Sequence, residues 1–334
     1  MDFWTDSTPY LTLNPRLPQV EVTRLQRIFD ALVLKLSGHI CLTTSGTQRL
    51  KLVAIQKSAL LLAAGSVNQA IDSNDADVWL NPLPLFHVGG IGINARAFLS
   101  GAKVIRLEKW SVQACLAILV DQSITLMSLV PTQLFDIVVE GHYCPPKLRH
   151  VFIGGALLSD CLRDRALALG WPIRSCYGMT ETGSQVICEG EVYSHARVRL
   201  TDQETLEINS DALLTGYCGE SECYGDVEIK DPKTVDGWFD TGDRVTIDPF
   251  GRVTIVGRRD DFVKIGGELV SLQRVNLLWN DACLMLGVKS GSHLVAISDD
   301  RLGHVIGLHS VDMDLADVID QYHQQCLPFE RIRF

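Results

Sequence analysis

The stretch Ser175-Cys176-Tyr177-Gly178-Met179-Thr180-Glu181-Thr182 follows a predicted strand and brings together three kinds of ligand-binding side chain. An aromatic ring can stack on a base, a hydroxyl can bond a phosphoryl oxygen, and a carboxylate can hold Mg²⁺. We expect this stretch at the carboxyl end of a strand, the usual ligand side of a parallel sheet. Taken alone, it is equally typical of a strand-to-helix turn with a threonine cap.

The chain before this stretch, from about residue 78, alternates short β-branched runs with longer amphipathic ones. Strands are predicted at 102–107, 124–130 and 148–153, and helices at 111–121, from Pro131, and at 157–169. This alternation indicates a largely parallel sheet covered by helices, and therefore an α/β fold.

The chain after Glu189 changes to short alternating strands separated by turn signals. Asp248-Pro249-Phe250-Gly251, between strand candidates at 244–247 and 252–256, predicts a hairpin. The charged, loop-like run 257–261 is a candidate domain boundary, and a helix is expected at 271–280. A chain of 334 residues exceeds one comfortable core, so we predict a large domain over 1–259 and a small one over 260–334.

Composition excludes several classes of protein. The hydrophobic fraction of 46% and the charged fraction of 21% are typical of a packed globular chain rather than a disordered or fibrous one. A net charge of −10 argues against nucleic acid as a partner. The first residues lack the features of a signal peptide, and no apolar run is long enough to cross a bilayer, so a cytoplasmic protein without membrane insertion is expected.

The 10 cysteines are scattered and include no Cys-x-x-Cys pair. Cys218 and Cys223 come closest to a ligand pair, but no second pair lies nearby at zinc-finger spacing. We expect all of them to be reduced and mostly buried.

Four other segments carry candidate binding residues. The hydroxyl-rich run 42–51 suits a polyphosphate clamp, or a polar turn before a helix that starts near Ile55. In 84–90 an apolar run ends in His87 and two glycines; this histidine either orients a ligand or is structural. Asp243, at the end of 238–243, suits a ribose diol or a simple turn. The run 257–268 is either a functional hinge region or a solvated linker.

The order of these segments is more informative than any one of them. Thr44–Thr47, Phe86-His87, Tyr177–Glu181, Thr241–Asp243 and Gly257-Arg258-x-Asp260 resemble the ordered core motifs of the acyl-CoA synthetase, peptide-synthetase adenylation and luciferase superfamily. The resemblance spans most of the chain. It implies the adenylate-forming ligase fold, with a large sheet-and-helix N-terminal domain and a small, shortened C-terminal α+β lid domain. It also implies a ligase that uses ATP and Mg²⁺ to join a carboxylic acid to CoA through an acyl-adenylate.

The resemblance implies a role for each matching position. The implied ATP-phosphate contacts are Thr44, Ser45, Gly46, Thr47 and Lys51, with Thr180 at the α-phosphate and Glu181 holding Mg²⁺. Gly155 and Tyr177 would frame the adenine, Asp243 and Arg258 would bind the ribose, and Gly266 and Gly267 would line the pantetheine tunnel. The implied catalytic set is His87, Thr180, Glu181 and Asp260, the last as the hinge of the mobile domain.

A narrower resemblance concerns the acid. Ser128–Leu134, Gly154–Ala156 and the spacing from His87 to Arg96 are similar to the o-succinylbenzoate–CoA ligase family of menaquinone or phylloquinone biosynthesis. That similarity implies that Arg96, with His87 nearby, pairs with the succinyl carboxylate, a task suited to a planar bidentate donor. The alternative is a surface arginine on a helix.

Three departures from the family pattern modify these expectations. The phosphate loop 46–51 is one residue shorter than in the family and lacks its second glycine and its proline. These differences predict weaker binding of pyrophosphate, for which the positive charge of Arg49 would partly compensate. The end, 327–334, resembles the segment that precedes a late catalytic lysine in the family, and that lysine is absent from this sequence. Because a cation that stabilises transition-state charge would then be missing, we expect adenylation to be slower by on the order of a hundredfold or more, while thioester formation survives. An abbreviated N-terminal subdomain is also expected, with 9–37 as its reduced version.

Two alternatives to an o-succinylbenzoate ligase remain at this stage. One is a CoA ligase for another aryl or acyl acid, and the other is a non-catalytic relative that binds nucleotide or acyl groups. The expected partners are a small carboxylic acid, ATP and CoA, and a homo-oligomer is left open.

Overall fold

The computed structural model describes residues 2–44, 50–221, 226–310 and 314–333. Within these ranges the helices are α1 Gln19–Leu32, α2 Lys57–Ala70, α3 Val88–Ser100, α4 Val112–Asp121, α5 Pro131–Val139, α6 Asp160–Ala168, α7 Leu272–Met285 and α8 Ala316–Gln325.

The strands of the same ranges form four sheets. In chain order they are β1 Tyr10–Thr12, β2 His39–Thr43, β3 Leu52–Gln56, β4 Val78–Asn81, β5 Lys103–Arg106, β6 Leu126–Leu129, β7 His150–Ile153, β8 Ile173–Met179, β9 Ser184–Cys188, β10 Glu191–Val192, β11 Arg197–Leu200, β12 Thr205–Asn209, β13 Gly216–Glu220, β14 Val227–Lys230, β15 Phe239–Ile247, β16 Val253–Arg258, β17 Phe262–Ile265, β18 Glu268–Ser271, β19 His293–Asp299 and β20 Gly303–His309.

The central sheet has the order β10-β9-β8-β7-β6-β4-β5. Strands β5, β4, β6, β7 and β8 run parallel, and β9 and β10 add an antiparallel edge. Successive residues of a strand point to opposite faces. Met127 and Val151 therefore pack under α4, α5 and α6, whereas Leu126 and Phe152 pack under α2 and α3. The predicted parallel sheet with helices on its faces is confirmed.

Two further sheets lie beside the central one. The first, β1-β2-β3-β13-β14, packs α1 against one face, and the second has the order β11-β12-β15-β16. The predicted hairpin at Asp248–Gly251 is present, with Ile247 opposite Val253. Gly251 has φ of +81°, which the missing side chain permits.

One local expectation is incomplete and another is wrong. The helix predicted near Ile55 is present as α2, which begins at Lys57, but the residues directly before it, Leu52–Gln56, form the buried strand β3 between β2 and β13, which the sequence did not predict. A run of apolar residues buried on both faces is typical of an interior strand, and that tertiary context decided the outcome. Gly257 and Arg258 likewise belong to β16 rather than to a loop.

The last sheet, β18-β17-β20-β19, packs with α7 and α8 around a core of its own. The helix predicted at 271–280 continues to Met285. Near its end, Leu284 joins the core under α4, α5 and α6 instead. Helix α7 therefore contacts both the last sheet and α6, one of the helices that cover the central sheet.

The described cysteines are all free thiols, and most of them are buried, as expected; Cys223 lies outside the described residues. Across the part of the chain that the structure covers, no helix combines the length and the apolar character that crossing a membrane requires.

Candidate functional site

The stretch from Ser175 to Thr182 lies at the carboxyl edge of the parallel strands. Strand β8 runs through Tyr177 to Met179, a 3₁₀ turn follows at Thr180–Thr182, and β9 returns antiparallel. The alternative interpretation of this stretch, a strand-to-helix turn with a threonine cap, is therefore wrong, because the chain folds back as a strand after the 3₁₀ turn. A Cβ on Gly178 would lie 1.8 Å from the carbonyl oxygen of Ser184, so only glycine fits this tight return.

Tyr177, Asp243 and Arg258 meet although they are distant in sequence. The Tyr177 hydroxyl donates to Oδ2 of Asp243 over 2.5 Å, and Nε of Arg258 lies 3.3 Å from Oδ1 of the same carboxylate. Asp243 and Arg258 are opposite each other in the β15–β16 hairpin. Burial raises the pKa of Asp243, although the Tyr177 hydrogen bond and the Arg258 charge oppose the rise. Three predicted nucleotide-binding residues are thus in direct contact.

A second group joins Glu181, Tyr217 and Lys51. The Tyr217 hydroxyl, on β13, donates to Oε1 of Glu181 over 3.0 Å, and Nζ of Lys51 lies 4.5 Å from the centroid of the Tyr217 ring. The main-chain N–H of Leu214 donates to the Glu181 carbonyl oxygen over 2.8 Å and fixes the turn. Burial and the nearby Glu181 carboxylate raise the pKa of Tyr217.

Sequence reasoning predicted Glu181 and Lys51 but missed Tyr217. Its position in Gly216-Tyr217-Cys218 carries no motif, and its partner is set by the pairing of β13 with β3. No local sequence signal reports such a non-local pairing.

The predicted phosphate loop is only partly covered. Thr44 and Lys51 flank it, and the Thr44 N–H donates to the Lys51 carbonyl oxygen over 3.1 Å. The predicted contacts at Ser45, Gly46 and Thr47, and the proposed compensating charge at Arg49, lie outside the described residues. Lys51 itself is exposed and immediately precedes β3.

The chemistry of the donors fits Mg²⁺ bound together with a nucleotide. Among the residues that the structure describes, no group of three or more His, Cys, Asp or Glu side chains is arranged to hold a metal. Mg²⁺ keeps several waters and is usually bound through one or two carboxylates plus substrate phosphates. A half-buried Glu181 beside the turn at Thr180 supplies the carboxylate that this mode needs.

Arg96 is a buried cation, with only 2% of its surface exposed. On α3, its guanidinium lies 5.3 Å from the Trp79 ring and 5.8 Å from the Phe152 ring, and Nη2 donates to Ser184 Oγ over 3.4 Å. Nη1 is buried, with no hydrogen-bond partner in the described ranges. Burial lowers the pKa of Arg96. The alternative interpretation of Arg96 as a surface residue is therefore wrong.

His87 is the residue immediately before α3, the helix that carries Arg96. Its ring lies 4.6 Å from the Phe86 ring, and the partial desolvation lowers the pKa of His87. A Cβ on Gly90 would lie 2.3 Å from the Pro84 carbonyl oxygen, so glycine is required for the chain to enter α3 this closely. The role of His87 toward a ligand stays a prediction.

The remaining predicted positions lie around these groups. Gly155 is in the exposed turn after β7, with φ of +83°, next to the strand that carries Tyr177. Asp260 is exposed in the turn between β16 and β17, as a hinge would be. Gly266 and Gly267 form the exposed turn of the β17–β18 hairpin. Their roles, and that of Thr180, stay predictions.

Comparison with known families and proteins gives matches over more than half of the chain. The AMP-binding enzyme family matches residues 40–235. A 2-succinylbenzoate–CoA ligase of Staphylococcus epidermidis is 29% identical over 282 residues, which are 78% of this chain and 57% of that protein. One from Staphylococcus aureus is 32% identical over 272 residues, 75% of this chain and 53% of that protein. The chain thus spans about half the length of these curated relatives.

Solved structures show the same fold. The Bacillus subtilis o-succinylbenzoate CoA synthetase bound to the acyl-adenylate OSB-AMP is similar with a TM-score of 0.74 at 21% identity, over 87% of this chain and 63% of that one. An Escherichia coli MenE variant with bound OSB-AMS is similar with a TM-score of 0.75 at 22% identity, over 99% of this chain and 84% of that one. At these identities the likeness concerns the fold, and the predicted adenylate-forming ligase fold is confirmed.

Proposed function

The chain belongs to the AMP-binding enzyme family, and from this premise we propose that it is an AMP-forming acid:CoA ligase that acts on o-succinylbenzoate. The reaction would use ATP and CoA and pass through an acyl-adenylate. The observation that carries the proposal is the buried guanidinium of Arg96, whose Nη1 has no hydrogen-bond partner among the described residues. Its Nη2 donates to Ser184 at the start of β9, the strand paired with β8, which carries Tyr177 of the proposed nucleotide site. As part of the proposal we place the protein in the cytoplasm and divide it into two domains near residue 260.

The nucleotide half of the proposal is supported by the Tyr177–Asp243–Arg258 contact. In this proposal the Tyr177 ring would lie against the adenine, and the Asp243 carboxylate, with Arg258 beside it, would accept hydrogen bonds from the ribose diol. Arg258 keeps half of its side chain exposed and is therefore accessible to a ligand. Gly155, which is exposed and has no side chain, would lie against the base.

The phosphate half is supported by Thr180, Glu181 and Lys51. Thr180 would bond the α-phosphate, and the exposed Lys51 ammonium would attract the phosphates that leave. Bound Mg²⁺ would offset the charge that grows on the phosphates. The acid carboxylate then attacks the α-phosphorus and pyrophosphate leaves; the CoA thiolate attacks the acyl carbonyl and AMP leaves.

The acid is assigned from Arg96. A cation removed from water is costly unless a ligand or protein group pairs with it. Arg96 offers a planar pair of donors suited to a carboxylate. o-Succinylbenzoate has two carboxylates, so one can react while the other pairs with Arg96. A fatty acid or benzoate has only the reacting one. The missing side chain of Gly92 lets the Arg96 guanidinium lie close against α3, since a Cβ on it would lie 3.3 Å from Nη2 of Arg96.

A coupled assay of AMP release tests the proposal, with o-succinylbenzoate beside benzoate and a medium-chain fatty acid. We expect selective turnover of o-succinylbenzoate. Arg96→Ala should raise the KM for this acid by roughly 10- to 100-fold, the usual cost of hydrogen bonds to a charged group, while the KM for ATP stays unchanged. Arg96→Lys is the matched variant that keeps the charge and loses the bidentate geometry.

Three results would replace the proposal with an alternative. Equal KM values for Arg96→Ala and wild type would reject the pairing of Arg96 with the acid, and with it the observation on which this substrate was assigned. Faster turnover of another acid would indicate a different CoA ligase. ATP binding without turnover of any acid would indicate a non-catalytic nucleotide-binding relative.

A further inference from the structure

Tyr217 links two groups to which the proposed function gives separate tasks. Its hydroxyl donates to Oε1 of Glu181, and its ring face lies under the Lys51 ammonium. Tyr217 is half-buried on β13, whose neighbour β3 begins directly after Lys51. One side chain thus contacts both the proposed metal carboxylate and the proposed phosphate cation.

The hydrogen bond determines which way the Glu181 carboxylate points. A carboxylate at the start of a short turn can rotate about its side-chain bonds, and a fixed donor removes that freedom. With Oε1 held by Tyr217, Oε2 is the oxygen left for a ligand; no hydrogen-bond donor to Oε2 occurs among residues of the described ranges. Side chains that orient metal-binding carboxylates commonly change metal affinity by 10- to 100-fold.

The ring determines where the Lys51 ammonium lies. Lys51 has a flexible four-carbon stem and is exposed. The negative face of an aromatic ring attracts a cation at the observed 4.5 Å. The ring therefore keeps this ammonium on the side of the β13 strand that faces Glu181.

We propose that Tyr217 is a positioning residue that aligns Glu181 for Mg²⁺ and Lys51 for the phosphates of ATP. The inference rests on the proposed function, since it assumes that Glu181 holds the metal. The two contacts of Tyr217 have different roles: its hydroxyl orients Glu181, the proposed metal ligand, and its ring positions Lys51, the proposed phosphate ligand.

Tyr217→Phe removes the hydroxyl and keeps the ring. The measurement is calorimetric ATP binding across a Mg²⁺ titration, together with the Mn²⁺ affinity of the ATP complex by electron paramagnetic resonance. We expect the metal concentration for half-maximal effect to rise by roughly 10- to 100-fold. ATP binding in EDTA should be unchanged, and saturating Mg²⁺ should restore wild-type ATP affinity.

Tyr217→Leu removes the ring as well. We expect a further loss of affinity for ATP that saturating Mg²⁺ does not restore, while AMP, which lacks the leaving phosphates, binds this variant as it binds Tyr217→Phe. In a Lys51→Met background the Leu and Phe variants should bind ATP alike. Tyr143→Phe, at a tyrosine that is 76% exposed elsewhere, is the matched control. Thermal unfolding checks that each variant is folded.

The outcomes distinguish this inference from the proposed function. If wild-type ATP binding does not depend on Mg²⁺, or Glu181→Gln leaves that dependence intact, the metal role of Glu181 fails and the inference fails with it. If Glu181→Gln abolishes the dependence and Tyr217→Phe leaves it at the wild-type value, the proposed function stands and the positioning role of Tyr217 is rejected.

Discussion

Arg96 and His195 are both polar side chains whose nitrogens are buried without full hydrogen bonding in the described structure. Arg96 lies between aromatic rings with a permanent charge, which a ligand carboxylate can neutralise. His195 instead avoids the free-energy cost of a buried charge by staying neutral at pH 7, because burial lowers the pKa of His195 to about 4. Only the first arrangement is a reason to expect a ligand.

His195 should make the protein sensitive to acid. Its folded-state pKa of about 4 lies below the ordinary 6.5, so the unfolded chain takes up its proton first as the pH falls. The free energy of unfolding should therefore drop between about pH 6.5 and pH 4. His150, whose pKa burial and two neighbouring arginines lower to about 4, adds to the same trend.

His195→Phe keeps a ring against Tyr193, 6.2 Å away, and removes the titrating group. We expect a shallower fall of Tm between pH 6.5 and pH 4 and no loss of Tm at pH 7. His309→Phe, at an exposed histidine, is the control and should leave the wild-type slope. A slope for His195→Phe equal to that of wild type would show that the pKa of His195 is not lowered in the folded protein.

The residues of the site were predictable where each belongs to a recognisable sequence motif. The order of Tyr177, Asp243 and Arg258 along the chain suggested one nucleotide site, and the structure brings them together. Tyr217 was not predictable, because its hydroxyl reaches Glu181 only through the pairing of β13 with β3. The burial of Arg96 was also invisible, since a helical pattern with few charged residues does not say which face the sheet covers.

At the scale of elements, predictions were confirmed where turn residues impose a backbone conformation. The hairpin at Asp248–Gly251 was predictable because its proline and glycine each satisfy a backbone requirement. The strand β3 was not, since a short apolar run before a helix suits either structure. Its neighbours β2 and β13, one of them far along the chain, decide in favour of a strand.

Helix α4 offers a direct test of capping. Ser111 precedes it, and its hydroxyl accepts a hydrogen bond from the Ala114 N–H over 3.1 Å. Ser111→Ala should lower the free energy of unfolding by about 1 kcal/mol, measured by urea denaturation. Ser111→Asp keeps an acceptor at the same position and should unfold like wild type. Equal losses in both variants would mean that the serine contributes through packing rather than through its cap.

At the scale of the whole molecule, α7 connects the last sheet to the central one. Val275 and Trp279 pack into the core of the last sheet, whereas Leu284 packs with α6 in the core of the central sheet. Asp281, on the same helix, is buried and accepts a hydrogen bond from the Ser159 hydroxyl. The sequence predicted this helix but gave no sign that its last turn serves a different core.

The Ser159–Asp281 hydrogen bond connects α6 and α7, and replacing its two partners should have different effects on stability. Burial raises the pKa of Asp281, so the folded protein binds this proton more tightly than the unfolded chain does. The stabilising contribution of that proton is lost as the pH rises through the raised pKa, and at pH 7 the ionised carboxylate is a cost. Asp281→Asn removes the charge and keeps an oxygen that accepts from Ser159. We expect its Tm at pH 7 to equal or exceed that of wild type.

Ser159→Ala should be destabilising, because it leaves the buried carboxylate without its donor and also removes the cap that accepts from the Leu162 N–H at the start of α6. We expect a loss of roughly 2–4 kcal/mol at pH 7, about 1 kcal/mol from the cap and the rest from the unsatisfied carboxylate. In the Asp281→Asn background the loss should shrink toward the cap alone, since an amide is cheaper to leave unpaired than a carboxylate. A double-mutant cycle by urea denaturation measures the difference. If Ser159→Ala costs the same in both backgrounds, the joint between the two cores depends on the packing of Leu284 and not on this hydrogen bond.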